Sequence, residues 1–224
     1  MSFHESDIAN LESDSDSLEE IEIDLSKAVI PKRVKAWLDF SDQKSTEWYA
    51  EGLGEKYPRH TMSDPEVVAG AIAFLTREGY LSGNQFCEWG SGLGVAAGVA
   101  AILGMDAVGI EREEELTEKA ASLAKEFGLS ITYLPTSFLP EGFEETEGIG
   151  GKDLLIYDDH LSRERSALST TIGDLDYADI DLVLIYPWPD QEEMILQLFE
   201  FVASPDTILL MYLGDGEIAG FLKS

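Results

Sequence analysis

The chain has 224 residues, 44% of them hydrophobic, which suits one α/β domain with a short appendage, and it has no apolar run near the roughly 18 residues that span a bilayer. Its net charge of −29 repels phosphate backbones, so DNA and RNA are not expected as substrates and a cationic or neutral molecule fits the field better. A single cysteine, Cys87, excludes an internal disulfide and a cysteine-based zinc site, and an acidic N-terminus without an apolar core is not a signal peptide, so a cytoplasmic location is expected.

Residues 1–30 carry nine acids against one base, Lys27. The stretch 1–26 mixes Ser, Asp and Glu with scattered Leu and Ile, and it reads as an acidic disordered tail that solvates the chain or orders on a partner. Residues 27–224 form one domain. In 31–62 the aromatics Trp37, Phe40, Trp48, Tyr49 and Tyr57 stand among charges, as in one or two short helices packed on the domain. Ser63-Asp64-Pro65-Glu66 opens a helix, with Ser63 as cap and Glu66 three residues on. Val67, Val68, Ala71, Ile72 and Leu75 form its apolar face, and Gly79 ends it.

Strands and helices then alternate. Gln85–Trp89 is a short buried strand, Leu93–Leu103 a buried helix ended by Gly104, and Ala107–Glu111 a second strand. Glu113–Phe127 is an amphipathic helix with Leu116, Ala120, Leu123 and Phe127 on one face. Ile131–Leu134 is a third strand, and Asp181–Tyr186 a fourth, apolar as a strand covered on both faces should be. A helix runs from Asp190 to about Val202, and Thr207–Leu213 is a further strand. This alternation implies βαβ units and a mostly parallel twisted sheet with helices on both faces. Residues 140–179 read as an insertion between the third and fourth strands, of the kind that forms lids or binding loops. Only eleven residues follow Leu213, so the chain has room for at most one short strand over 217–222.

Gly90, Gly92 and Gly94 sit where the first of these strands meets its helix, a place where the backbone approaches a ligand and helix N–H groups point at it. Gly94, Ala97, Gly98 and Ala101 make a small-residue stripe that lets this helix pack close to the sheet. Glu88 ends the strand before the glycines. It repels dinucleotide phosphates and attracts an α-ammonium group. Glu111 ends the next strand, where a carboxylate accepts ribose hydroxyls. A nicotinamide or flavin fingerprint is partly met by Gly92 to Ala97, and Glu88 argues against it.

Glu88-x-Gly90-x-Gly92-x-Gly94 resembles the first motif of class I S-adenosylmethionine-dependent methyltransferases, and Gly109-Ile110-Glu111 resembles their second-strand acid. The resemblance covers residues 60–213 and implies a Rossmann-like methyltransferase fold with a shortened C-terminal hairpin, and S-adenosylmethionine as cofactor. It implies that Glu88, Gly90, Ser91, Gly92 and Gly94 line the methionine part, and that Glu111, with Arg112 beside it, binds the ribose. Thr136-Ser137-Phe138 stands where the family's adenine-binding group lies. Ser137 would hydrogen-bond there and Phe138 would pack on the ring. Tyr186-Pro187-Trp188-Pro189 holds the place of an Asx-Pro-Pro-aromatic tetrad that binds target amines, with Tyr186 in place of the Asx. Tyr186 and Trp188 then offer a face to a flat or cationic acceptor, or else the prolines end a strand and Trp188 caps the core. Tyr57-Pro58-Arg59-His60-Thr61 lies in the segment that closes over the cofactor in several such enzymes. Thr61 or Arg59 would touch its carboxylate, with Tyr57 and Arg59 facing the acceptor; otherwise this is an ordinary packed loop.

His60 and His160 are candidate bases, though each reads first as an ordinary histidine, and the acid pair Asp158-Asp159 is a weak hint of a metal that reads first as solvated. The expected activity is methylation of a small-molecule or protein amine. A nucleotide-dependent oxidoreductase and a non-catalytic S-adenosylmethionine-binding module remain the alternatives.

Overall fold

The computed structural model describes residues 17–58, 60–140, 143–147, 153–157, 171–172 and 175–224. Its main sheet has seven strands. They are β1 (Leu18–Ile21), β2 (Gln85–Trp89), β3 (Asp106–Glu111), β4 (Thr132–Pro135), β9 (Leu182–Ile185), β10 (Ile208–Gly214) and β11 (Glu217–Lys223), in the spatial order β1-β11-β10-β9-β2-β3-β4. Strands β10, β9, β2, β3 and β4 pair in parallel. β11 runs antiparallel to β10, and β1 antiparallel to β11.

From β2 the chain steps outward through α4 (Val95–Ile102) to β3 and through α5 (Glu114–Phe127) to β4, then returns to lay β9 on the other side of β2. The strand order therefore reverses between β2 and β9. In doubly wound sheets ligands bind at the carboxyl ends of the strands on either side of such a switch point.

Between β4 and β9 the chain forms two small antiparallel ribbons. One pairs β5 (Phe143–Glu147) with β6 (Asp153–Tyr157), the other β7 (Thr171–Ile172) with β8 (Leu175–Asp176). They occupy the expected insertion, which ends in a 3-10 turn at Tyr177–Asp179; Asp158, Asp159 and His160 lie outside the described residues.

Helices α1 (Lys32–Ala50), α3 (Pro65–Glu78) and α4 pack on one face of the sheet, and α6 (Glu192–Val202) on the other. The sheet keeps water from both faces, and all four residues of β9 are buried. α1 buries Val34, Trp37, Leu38, Ser41 and Ser45, one face at helical spacing. It is a single helix of 19 residues, longer than the short pieces expected, followed by the one-turn α2 (Leu53–Lys56).

Two sequence expectations are corrected and a third is extended. The acidic tail does not extend to residue 26, because β1 joins the sheet edge, Ile21 is buried, and residues 25–27 form a 3-10 turn against α3. Strand pairing uses backbone groups, so Glu19 and Glu20 pair with β11 while their side chains stay in solvent. Residues 1–16 lie outside those described. The cap of α3 is Asp64, not Ser63: its side chain accepts from Glu66 N at 2.9 Å and Val67 N at 3.2 Å, while Pro65 fills the first helical position. The small-residue stripe of α4 serves α1 as well as the sheet. A β-carbon on Gly98 would stand 2.2 Å from the Trp37 ring, and Trp37 Nε1 donates to Val95 O at 2.8 Å. The N-terminal helix is thus keyed into the helix that follows the glycine turn.

Candidate functional site

A cavity of about 650 Å³ opens at the carboxyl ends of β2, β3 and β9, at the switch point. Its floor comes from the sheet: Glu88 from β2, Glu111 from β3, Leu184 and Ile185 from β9. The glycine turn lines one wall with Gly90, Ser91 and Gly92. α1, α2 and the loop before α3 roof it through Ser45, Tyr57, His60 and Thr61, and the segment after β9 forms the lip with Tyr186, Pro187 and Trp188.

The turn is shaped by its own backbone. Gly92 has φ +50°, and a β-carbon there would stand 2.4 Å from His60 Nε2, so glycine alone both adopts the conformation and leaves room for the roof. Gly94 has a different task from the one expected. It caps α4 at φ +67° and lies against the Tyr133 ring, and it does not line the cavity.

The two carboxylates are held by backbone amides. Glu111 accepts from Gly92 N at 2.9 Å and from Glu113 N at 3.0 Å. A carboxylate has about four lone-pair sites, so capacity remains for ribose hydroxyls. Glu88 accepts from Ala97 N at 2.9 Å. It keeps some surface toward the cavity, but the surrounding protein pushes its carboxyl up to about 8, against the Ala97 hydrogen bond and with a smaller push from the charge of Glu111. A cation placed beside Glu88 would restore its ionised form.

Two seryl hydroxyls, Ser45 Oγ and Ser91 Oγ, are buried without a hydrogen-bond partner among the described residues, and both serines line this cavity. Buried polar groups are normally paired. Both oxygens are closed off from the cavity, Ser91 Oγ lying against Gly109, so a ligand meets them only if the side chains turn.

On the β4 side, Thr136, Ser137 and Phe138 follow the strand into the cavity wall. Ser137 Oγ accepts from Leu139 N at 3.2 Å. Phe138 stacks on Trp89 with ring centroids 5.3 Å apart and planes within 3°, and its carbonyl accepts from the Tyr177 hydroxyl at 2.6 Å. One face of Phe138 is therefore already committed to the core.

At the lip, Trp188 is 43% exposed, Tyr186 is 38% exposed, and Pro187 is buried. Trp188 therefore does not cap the core, since a core-capping ring would be covered. Gln191 N donates to Trp188 O at 3.0 Å, and Asp190 takes φ +70°, closing a turn behind Trp188. Tyr186 meets Tyr212 edge-on at 4.8 Å. Burial, then Tyr212 and Asp215, holds the Tyr186 phenol above its usual range, so it hydrogen-bonds as a neutral group. Tyr57 lines the cavity but commits its hydroxyl to Glu115 at 2.9 Å, beside Lys56. Arg112 and Thr61 also reach the cavity; Arg59 is outside the described residues.

Sequence reasoning missed Ser45, Tyr49 and Tyr212. Tyr212 lies near the carboxyl end of β10, the edge where such sheets place ligands, and could have been found by that rule. Ser45 and Tyr49 lie on α1, whose docking has no local signature. His60, read first from the sequence as an ordinary histidine, lies on the glycine turn.

No family model matches this sequence, and no curated protein matches it. The structure is similar to several solved ones. An RNA methyltransferase from Salinibacter ruber in complex with S-adenosylhomocysteine has TM-score 0.45 and 17% identity over 73% of this chain and 93% of its own. Magnesium protoporphyrin IX methyltransferase from Synechocystis PCC 6803 with bound S-adenosylhomocysteine has TM-score 0.42 and 16% identity over 80% and 71%. An S-adenosylmethionine-dependent methyltransferase from Clostridium acetobutylicum has TM-score 0.43 and 12% identity over 75% and 56%. The chain spans less than two thirds of several such proteins, 57% of one from Pyrococcus horikoshii among them.

Proposed function

We propose that the chain is an S-adenosylmethionine-dependent methyltransferase that methylates an amine of a small molecule or a protein. The observation that carries this reading is the pairing of two carboxylates, Glu88 and Glu111, across a glycine turn on one cavity at the switch point. Glu88, ionised when a cation lies beside it, suits an ammonium group, whereas a pyrophosphate would gain nothing from a second acid at this turn, which sets the site apart from a dinucleotide site. Glu111 suits a ribose diol. Ser45 and Ser91 lie on the same cavity, and a turn of either side chain would bring its unpaired hydroxyl to the ligand.

When bound, S-adenosylmethionine supplies an electrophilic methyl group on its sulfonium sulfur. The residues of this chain hold and shield it. Glu88 and the Gly90–Gly92 backbone orient the methionine end, Glu111 with Arg112 the ribose, and Ser137 and Phe138 the adenine edge. Thr61 and the roof exclude water. Tyr186 and Trp188 present a rigid aromatic face to the acceptor, set by the prolines at 187 and 189. A cation or a flat amine rests well on such a face, and it is drawn there by a chain of net charge −29. The same charge disfavours RNA. Positioning supplies most of the rate in an in-line transfer, and the reading assigns no side-chain nucleophile.

Calorimetry with S-adenosylhomocysteine, NAD and NADP tests the cofactor. Binding of either dinucleotide and not of S-adenosylhomocysteine would replace this reading with an oxidoreductase. Transfer of labelled methyl from the cofactor to a panel of amines and proteins tests the activity; cofactor binding with no acceptor in any fraction would leave a binding module.

A further inference from the structure

His60 is the residue that the N-terminal helices deliver onto the glycine turn. Its Nε2 rests on the Gly92 backbone, 2.4 Å from where a β-carbon would stand. Its Nδ1 is 2.6 Å from the Tyr49 hydroxyl, and that hydroxyl is 3.3 Å from the His60 carbonyl. Tyr49 lies in the last turn of α1, so the pair ties the loop before α3 to the helix keyed against α4.

The Tyr49 phenol can donate to Nδ1, or accept from it while donating to the His60 carbonyl. Nε2 lies on Gly92, whose amide bonds the Glu111 carboxylate, and that negative charge favours a hydrogen on Nε2, with Nδ1 as the acceptor. Burial holds the His60 ring below the usual histidine range, against the pull of the Glu111 charge, so the ring is neutral. A neutral ring that accepts at Nδ1 carries its hydrogen on Nε2. The outcome is an N–H donor on the wall of the cavity, within the field of Glu111.

A ribose diol both donates and accepts. Glu111 can only accept, and its carboxylate leaves the hydroxyl oxygens unpaired on their own lone-pair side. A donor beside it completes the recognition of the sugar. We propose that His60 is a ligand-recognition residue that donates from Nε2 to the ribose held at Glu111, with Tyr49 as the positioning residue that sets its tautomer. The proposal rests on the reading of this cavity as a nucleoside-cofactor site.

The test is calorimetry on the full chain with S-adenosylhomocysteine, adenosine and 3′-deoxyadenosine, with thermal melts to confirm folding. His60→Ala is expected to weaken S-adenosylhomocysteine and adenosine alike, by about five- to tenfold, the scale of one hydrogen bond. His60→Gln, which restores an amide donor, is expected to recover part of that loss. Tyr49→Phe is expected to weaken both ligands about threefold in the wild-type background and not at all beside His60→Ala, which a merely structural role for Tyr49 would not produce. Removal of the 3′-hydroxyl is expected to cost less in His60→Ala than in the wild type. Unchanged or tighter adenosine binding by folded His60→Ala would overturn the proposal, tighter binding marking the ring as a plug. Loss confined to S-adenosylhomocysteine would place the contact at the methionine end and overturn the ribose assignment. If the wild type bound neither S-adenosylhomocysteine nor adenosine, the cofactor reading itself would fall and this one with it.

Discussion

Replacing Glu111 with alanine separates what this carboxylate does for the fold from what it does for a ligand. In the protein it accepts from Gly92 N and Glu113 N, so the substitution orphans two amides. They lie at a partly open turn, where the cost is about 1–3 kcal/mol, or roughly 2–12 °C of melting temperature for a domain of this size. Toward the ligand, the carboxylate offers two charge-assisted hydrogen bonds to the ribose hydroxyls. Their loss costs about 2–5 kcal/mol, a roughly 30- to 5,000-fold weaker S-adenosylhomocysteine affinity. Binding should therefore fall far more steeply than stability. Glu111→Gln keeps the shape and one acceptor oxygen and should lie between. Isothermal calorimetry at fixed salt, beside a thermal melt of the same sample, reads both quantities. A folded Glu111→Ala protein with S-adenosylhomocysteine affinity within twofold of the wild type would refute the ribose assignment.

Trp188 is exposed at the cavity lip, so Trp188→Ala should move the melting temperature by only a degree or two while lowering methyl transfer about tenfold, the scale of a lost cation–π contact; a large stability loss with activity in proportion to folded protein would return Trp188 to the core. Ile21 is buried where β1 meets the sheet, and Ile21→Ser should cost about 1.5–3 kcal/mol, or roughly 3–12 °C; an unshifted melt would detach β1 from the fold. The Glu88 carboxyl titrates near 8 in the folded protein and near its ordinary value of about 4.3 in the unfolded chain, so the native state keeps a proton that the unfolded state has released. Its contribution to stability is full below about pH 4 and declines as pH rises to 8. Urea midpoints at pH 5 and pH 8 should show a smaller decline in Glu88→Gln than in the wild type, and equal declines would show that Glu88 is ionised throughout.

Elements whose cause is local were legible in the chain itself. The alternation of strand and helix from Gln85 to Leu213, the glycine turn, and the acids at the ends of β2 and β3 follow from hydrophobic period and from residue types that only certain backbones accept. Glu88, Gly90, Gly92 and Glu111 therefore came from the sequence and converge on one cavity. What depends on contact between distant segments was decided only by the tertiary structure. β1 joins the sheet because β11 leaves an unpaired backbone edge, and backbone groups carry no sequence signature, so a segment rich in acids could be taken for a tail. Gly94 reads as one more ligand glycine until Tyr133 is seen against it. Above all, α1 belongs to the site because Trp37 fits the space left at Gly98, which carries Ser45 to the roof and sets Tyr49 against His60 on the turn. A steric fit between residues 61 positions apart has no periodicity to read, and it exists only once the chain has folded.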